Sequence, residues 1–234
     1  MIKVSEIYTD FVVDNANKDE NGDVSYMQFN RMLWKVQLRM MGWLTGNFDE
    51  VNPPEKISPQ KTRDLLSVFL VKMPTQVTSG EITRPDNYYS FHNVYAITGK
   101  TNECADKYEE ETIEVTKKAI QILDNSKFTI RAATRIESLK PKNKPIAKLS
   151  GTGFEFLPED IGSVVLEYYR VPAKARIVTK PDVVRNDVVP DEDKSINIEW
   201  MEMARPYILH FLNQEFSLPT RDMAFQQQNQ INKP

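Results

Sequence analysis

The chain has 234 residues, with 30 Lys and Arg against 33 Asp and Glu and a formal net charge of -3. With 40% hydrophobic and 27% charged residues it can bury a core, which excludes wholesale disorder. The near-neutral balance argues against a dedicated nucleic-acid binder, which carries a basic excess to displace counterions from phosphate.

Val4, Ile7, Tyr8, Phe11 and Val12 fall at helical spacing and predict a short first helix that ends in the polar run from Asp14 to Asp23. A second helix is expected from Ser25, paired with Gln28 as a capping box, with Phe29, Met32, Leu33, Val36, Met40 and Trp43 on one stripe. The two predict a helical hairpin. Ser58 and Pro59 supply an N-cap and an N1 proline for a third helix through Leu65, Leu66 and Phe69, with Pro74 as its stop.

From Tyr88 the pattern alternates, as in Phe91 to Ile97, and predicts half-buried strands. Ile146 to Leu149 and Phe154 to Leu157 flank Ser150-Gly151-Thr152-Gly153, a hairpin loop, and Ser163 to Tyr169 is a β-branched and aromatic run. Three or four antiparallel strands are expected here. Glu109 to Leu123 reads equally as helix or strand. A loop from Pro172 to Asp193 leads to a last helix carrying Ile198, Met201, Ala204, Ile208, Phe211 and Leu212, which Pro206 should kink. The Gln- and Asn-rich end, Gln226 to Pro234, has the composition of a segment that is disordered alone in solution.

Asn17 to Gln28 matches an EF-hand loop in its oxygen-bearing residues, its sixth-position Gly22 and its apolar Val24. Neutral Asn17 and Gln28 weaken both ends of that ligand set, and a polar turn with Ser25 and Gln28 capping the next helix explains the same residues without a metal. Gly99-Lys100-Thr101 lacks the first glycine of a phosphate loop and reads as a β-turn, and Gly151 and Gly153 suit a hairpin better than a dinucleotide fingerprint. Cys104, the single cysteine, forms no intrachain disulfide, fits a reducing compartment and lacks an evident base, with His92 an ordinary strand residue and His210 assigned no chemistry. Glu109, Glu110, Glu111 and Glu114 read as a solvated face. Lys140, Lys142, Lys144 and Lys148 read as an exposed loop that could touch a DNA backbone or an acidic neighbour. Trp34, Trp43 and Trp200 are expected in the core. Met1 to Glu6 lacks an apolar signal region and no stretch reaches the about 18 apolar residues of a membrane span, so synthesis in a cytoplasm is expected.

Several segments together resemble the neck-ring, or head-to-tail connector, structural proteins of crAss-like and related tailed phages. They are Ile122 to Phe128, Lys144 to Ala147, Gly153 to Pro158, Ile161 to Lys174 with Leu166-Glu167-Tyr168-Tyr169-Arg170-Val171-Pro172 at its centre, and Ile198-Glu199-Trp200 before a helix and polar tail. Phe29-Asn30-Arg31 in a helix, followed by a Pro-bounded short helix, is also of that type. The resemblance implies a non-enzymatic virion protein in a homo-oligomeric ring, about twelve copies to match a portal. It further implies the portal and adjacent neck or tail ring proteins as partners. Double-stranded DNA would pass through the lumen without sequence-specific binding, and the protein would reside in the virion after assembly in the host cytoplasm.

The sequence therefore predicts an α+β subunit with an N-terminal helical hairpin, a central antiparallel β-sheet and a C-terminal helix with an extended polar tail. Its expected divisions are 1–80, 81–190, 191–222 and 223–234. No catalytic, cofactor-binding or metal-ligating residue is assigned, no cofactor is expected, and no membrane is among the partners. The alternative function is a calcium-dependent protein-binding module built on residues 17–28.

Overall fold

The structure is a computed structural model and describes residues 1–16, 24–47, 57–100, 114–136, 139–142, 144–182 and 187–216. Its helices are α1 (Val4–Ala16), α2 (Tyr26–Thr45), α3 (Pro59–Ser67), α4 (Asn125–Ala132) and α5 (205–216). Its strands are β1 (Leu70–Gln76), β2 (Glu81–Thr83), β3 (Tyr88–Lys100), β4 (Glu114–Ala119), β5 (Gln121–Leu123), β6 (Ile146–Leu149), β7 (Gly153–Leu157), β8 (Ser163–Arg170), β9 (Thr179–Asp182) and β10 (Asp187–Pro190). This is the α+β class that the sequence predicts. Two compact units form, Met1–Phe69 with Val171–Pro234, and Leu70–Arg170.

In the first unit, α2 starts where Ser25 Oγ accepts the backbone N–H of Gln28 at 3.3 Å, which satisfies a donor the helix leaves orphaned. It ends at Gly46, whose φ of 70° is the left-handed conformation that glycine takes at a helix C-terminus without a Cβ penalty. Phe29, Leu33, Val36 and Met40 are buried along one face. The Tyr8 hydroxyl donates to the Val24 carbonyl at 2.8 Å and its ring lies 4.6 Å from that of Tyr26, fixing α1 against the start of α2. Ser58 and Pro59 open α3 as predicted.

The last helix is shorter than expected. Ile198 lies in an extended bridge with Ile2, each N–H donating to the other's carbonyl at 3.0 Å. A 3-10 turn, Glu202–Ala204, follows, and α5 begins only at residue 205. Pro206 therefore occupies a first helical turn, where its missing N–H removes no bond, and it has no longer helix to kink. The expected loop from 172 to 193 holds the ribbon β9–β10. Pro181 and Pro190 are tolerated because both strands of a two-stranded ribbon are edges.

The second unit has two four-stranded sheets, ordered β1-β8-β3-β4 and β2-β7-β6-β5, and one core that draws on both, including Ile82, Val94, Ala147, Phe154, Phe156 and Leu166. The pairings are antiparallel except β5 with β6, whose parallel register follows from the α4 crossover between them. Asp124 caps α4, and the backbone N–H of Lys127 on its carboxylate, joined by the Lys127 side chain, holds its pKa below the usual range.

Three expectations change here and one open reading is resolved. Pro74 does not end a helix, because α3 stops at Ser67 and Pro74 sits in β1, an edge strand that needs a donor on one side only. This pairing places Leu70–Gln76 with the sheets, and Val171 onward belongs with the first compact unit. Gly99 and Lys100 continue β3 opposite Val115 and Glu114 and are not a turn, while Thr101 lies outside the described residues. The ambiguous segment is strand at Glu114–Ala119 and Gln121–Leu123, and 109–113 lies outside the described residues. The central sheets hold eight strands, more than the three or four that alternation alone marks.

The predicted hairpin forms, with Leu149 opposite Phe154 and the Ser150 N–H donating to the Gly153 carbonyl at 2.8 Å. A Cβ at Gly153 would collide with the Ile82 carbonyl of the neighbouring β2. Gly153→Ala should therefore force β2 off β7 and cost about 1–3 kcal/mol, read as a lower urea midpoint with an unchanged slope.

Candidate functional site

Alternation along Lys174–Ile177 builds one side of a surface groove in the first unit. Ala175 and Ile177 are buried while Lys174 and Arg176 are exposed, as an extended chain with one face on a core requires. Asn30 on α2 clips this segment in place. Its Nδ2 donates to the Ile177 carbonyl at 2.9 Å, and its Oδ1 accepts the Ile177 N–H at 2.8 Å. Arg176 also bridges Ile196 through two backbone hydrogen bonds of 3.0 and 2.9 Å. Ser195 supports the turn beyond, accepting the Val178 N–H at 3.0 Å and donating to the Asp191 carbonyl at 2.7 Å.

The result is a groove of about 730 Å³ between α2 and the 174–179 segment. Its lining is mainly apolar, from Tyr26, Met27, Trp34 and Ile196, and also carries the exposed cations Arg31, Lys35, Lys174 and Arg176. Lys174 Nζ stands 6.0 Å from the Trp34 ring centroid, at the outer limit of a cation–π contact. Among the described residues, none of the four cations is within ion-pair distance of a carboxylate. Others in the same unit are paired. Arg205 meets Glu6 at 2.9 Å, Asp10 at 3.1 Å and Glu202 at 2.7 Å, Arg39 meets Glu215 at 3.3 Å, and Lys180 and Lys194 both approach Asp191 at 3.7 Å. Burial lowers the Arg205 pKa, but its carboxylate partners outweigh that and the net shift is upward. An apolar trough with a cationic rim can seat an anionic ligand that also carries an apolar group.

The sequence motifs fall elsewhere. Residues 17–23 of the EF-hand-like loop lie outside the described residues, while Ser25 and Gln28 serve the α2 cap. Cys104 and Glu109, Glu110 and Glu111 also lie outside them, and Glu114 is in β4. His92 Nδ1 is 3.1 Å from the Tyr169 hydroxyl, and His210 Nε2 is 2.8 Å from Gln214 Nε2. Among the described residues no cluster of three His, Cys, Asp or Glu side chains could hold a metal ion, and no helix is long and apolar enough to cross a membrane. Lys148 is in β6, paired with Glu155 at 2.7 Å and 5.1 Å from the Phe128 ring centroid, whereas Lys140, Lys142 and Lys144 lie on the preceding turn. In the second unit, the hydrogen bond and charge of Glu167, 3.0 Å away, raise the pKa of Lys72.

The three tryptophans separate. Trp200 is fully buried with its ring 4.5 Å from Phe69, and Trp43 is half-buried beside Tyr207 and Phe211. Trp34 departs from the expected core position because it lies on the α2 face with Met27 and Arg31, off the Phe29-Leu33-Val36 stripe. That spacing was present in the sequence. The contributions of Lys174, Arg176 and Ile196 were not, since they arrive through a bridge and a clip distant along the chain.

A scan against protein-family models finds none that matches the chain, and a search of curated proteins also finds no match.

Trp200→Ala should cost about 3–5 kcal/mol in urea unfolding through the cavity it opens. Trp34→Ala, at a surface groove, should cost less than about 1 kcal/mol.

Proposed function

We propose that the protein is a non-enzymatic virion subunit of a phage neck, and that identical copies close into a ring connecting the portal to the tail. The ring holds about twelve copies, matched to a portal, and DNA passes through its lumen without sequence-specific contacts. It stacks on the portal and on adjacent neck or tail rings, after assembly in the host cytoplasm.

The observation that carries this reading is the groove on α2. Four exposed cations with no carboxylate partner among the described residues surround an apolar trough, in a chain whose net charge is -3. Such a surface suits a protein neighbour, because the apolar trough offers burial and the rim offers complementarity to acidic surface of the same chain. A contact between two different surfaces of identical subunits is the heterologous kind that closes into rings. The phage-neck resemblance supports the same reading, and its most diagnostic residues, Leu166 to Pro172, include the end of β8.

Electron microscopy of the chain mixed with the portal protein of the same genome tests this. A ring of the portal's symmetry docked on the portal is expected. A bare portal with free monomer, repeated with the other neck proteins, would refute the connector role.

A further inference from the structure

We propose that the groove on α2 is the seat for residues 101–113 of a second copy of the chain. This rests on the ring reading and names its contact. Residues 101–113 carry Glu103, Asp106, Glu109, Glu110 and Glu111 against the single Lys107, with Tyr108 and Ile113 as apolar side chains. The groove presents the complement: Arg31, Lys35, Lys174 and Arg176 on its rim, and Trp34 and Met27 within it.

The topology of the second unit shows where this segment departs from its sheet and returns to it. β3 pairs with β8 only as far as Ile97 opposite Ser163, where β8 begins. The β3–β4 ladder continues to Lys100 opposite Glu114, so a two-stranded ribbon runs three residues past the end of β8. Residues 101–113 connect the two strands at the end of that ribbon. An acidic connection and a cationic groove are different parts of the chain, so each copy can give one and receive the other, and the association propagates head to tail until it closes.

Other segments outside the described residues match less well. Residues 17–23 carry Asp19, Glu20 and Asp23 with no apolar side chain, and 217–234 contain Asp222 as their only acidic side chain. Residues 48–56 carry three carboxylates against Lys56 and have Phe48 and Val51, which makes them the proper comparison peptide.

The test is calorimetric titration of the full chain with a peptide of residues 101–113 carrying C104S. Saturable binding is expected, weakened about tenfold or more by R31E/K35E and by raising salt to about 500 mM. Absence of binding by the full chain, equal binding by R31E/K35E, or tighter binding of the 48–56 peptide or of a single-stranded oligonucleotide would overturn the proposal. A full chain with residues 103–111 replaced by Gly and Ser, mixed with portal protein, separates this contact from the ring itself. Loss of a ring that the natural chain forms supports the contact, and a ring that persists overturns it while leaving the ring reading intact. If the natural chain forms no ring, the ring reading fails and the peptide titration decides the contact alone.

Discussion

The second unit depends on β8. Its residues from Val164 to Tyr169 are all buried, and it holds β1 on one side and β3 on the other. Val164, Leu166 and Tyr168 enter the core shared with the second sheet, while Glu167 among them is satisfied by Lys72 at 3.0 Å and by Asn93 at 3.4 Å. A carboxylate on a strand this buried needs such partners, because its desolvation would otherwise destabilise the sheet. Tyr168 adds a second anchor, its hydroxyl donating to Asn87 at 2.8 Å and its ring stacked 5.7 Å from Tyr88. Burial raises the Tyr88 pKa, with Arg84 nearby opposing that shift.

The same strand fixes where the β3–β4 ribbon leaves the sheet, because β8 begins at Ser163 and β3 runs on without it. In the first unit the groove has an equally local cause. Asn30 satisfies both backbone groups of Ile177 with its side-chain amide, and alternation leaves Lys174 and Arg176 exposed. A neighbour of opposite charge lowers the free energy of both surfaces once apolar area is buried between them.

Much of the fold was legible in the sequence. Ser25, Ser58 and Pro59 mark helix starts through donors that any helix leaves orphaned, and Ser150 to Gly153 mark a hairpin through local turn chemistry. Several of the failures were prolines. Pro74, Pro181 and Pro190 each read as a stop or loop, but an edge strand leaves one side of its backbone without a ladder, and for Pro74 edge status is decided by a pairing with Val165, distant in sequence. Pro206 was misread for a related reason, since the bridge from Ile198 to Ile2 moves the start of the helix to residue 205. Half of the groove was readable, as Met27, Arg31 and Trp34 share a helical face. The other half depends on chain segments brought to α2 by Asn30 and Ile196, which no local pattern encodes.

Head-to-tail association of identical copies is the central claim, and the single native cysteine gives a direct measurement of it. Cys104 lies in the acidic connection and Lys174 on the groove rim, so Lys174→Cys places one thiol on each proposed surface. Treated with a short bismaleimide, with and without portal protein, this variant should give a ladder of covalent species beyond the dimer on a denaturing gel, since each copy links to two neighbours. The natural chain, with one thiol, stops at the dimer. A Lys174→Cys chain that also yields only monomer and dimer under both conditions would contradict the account.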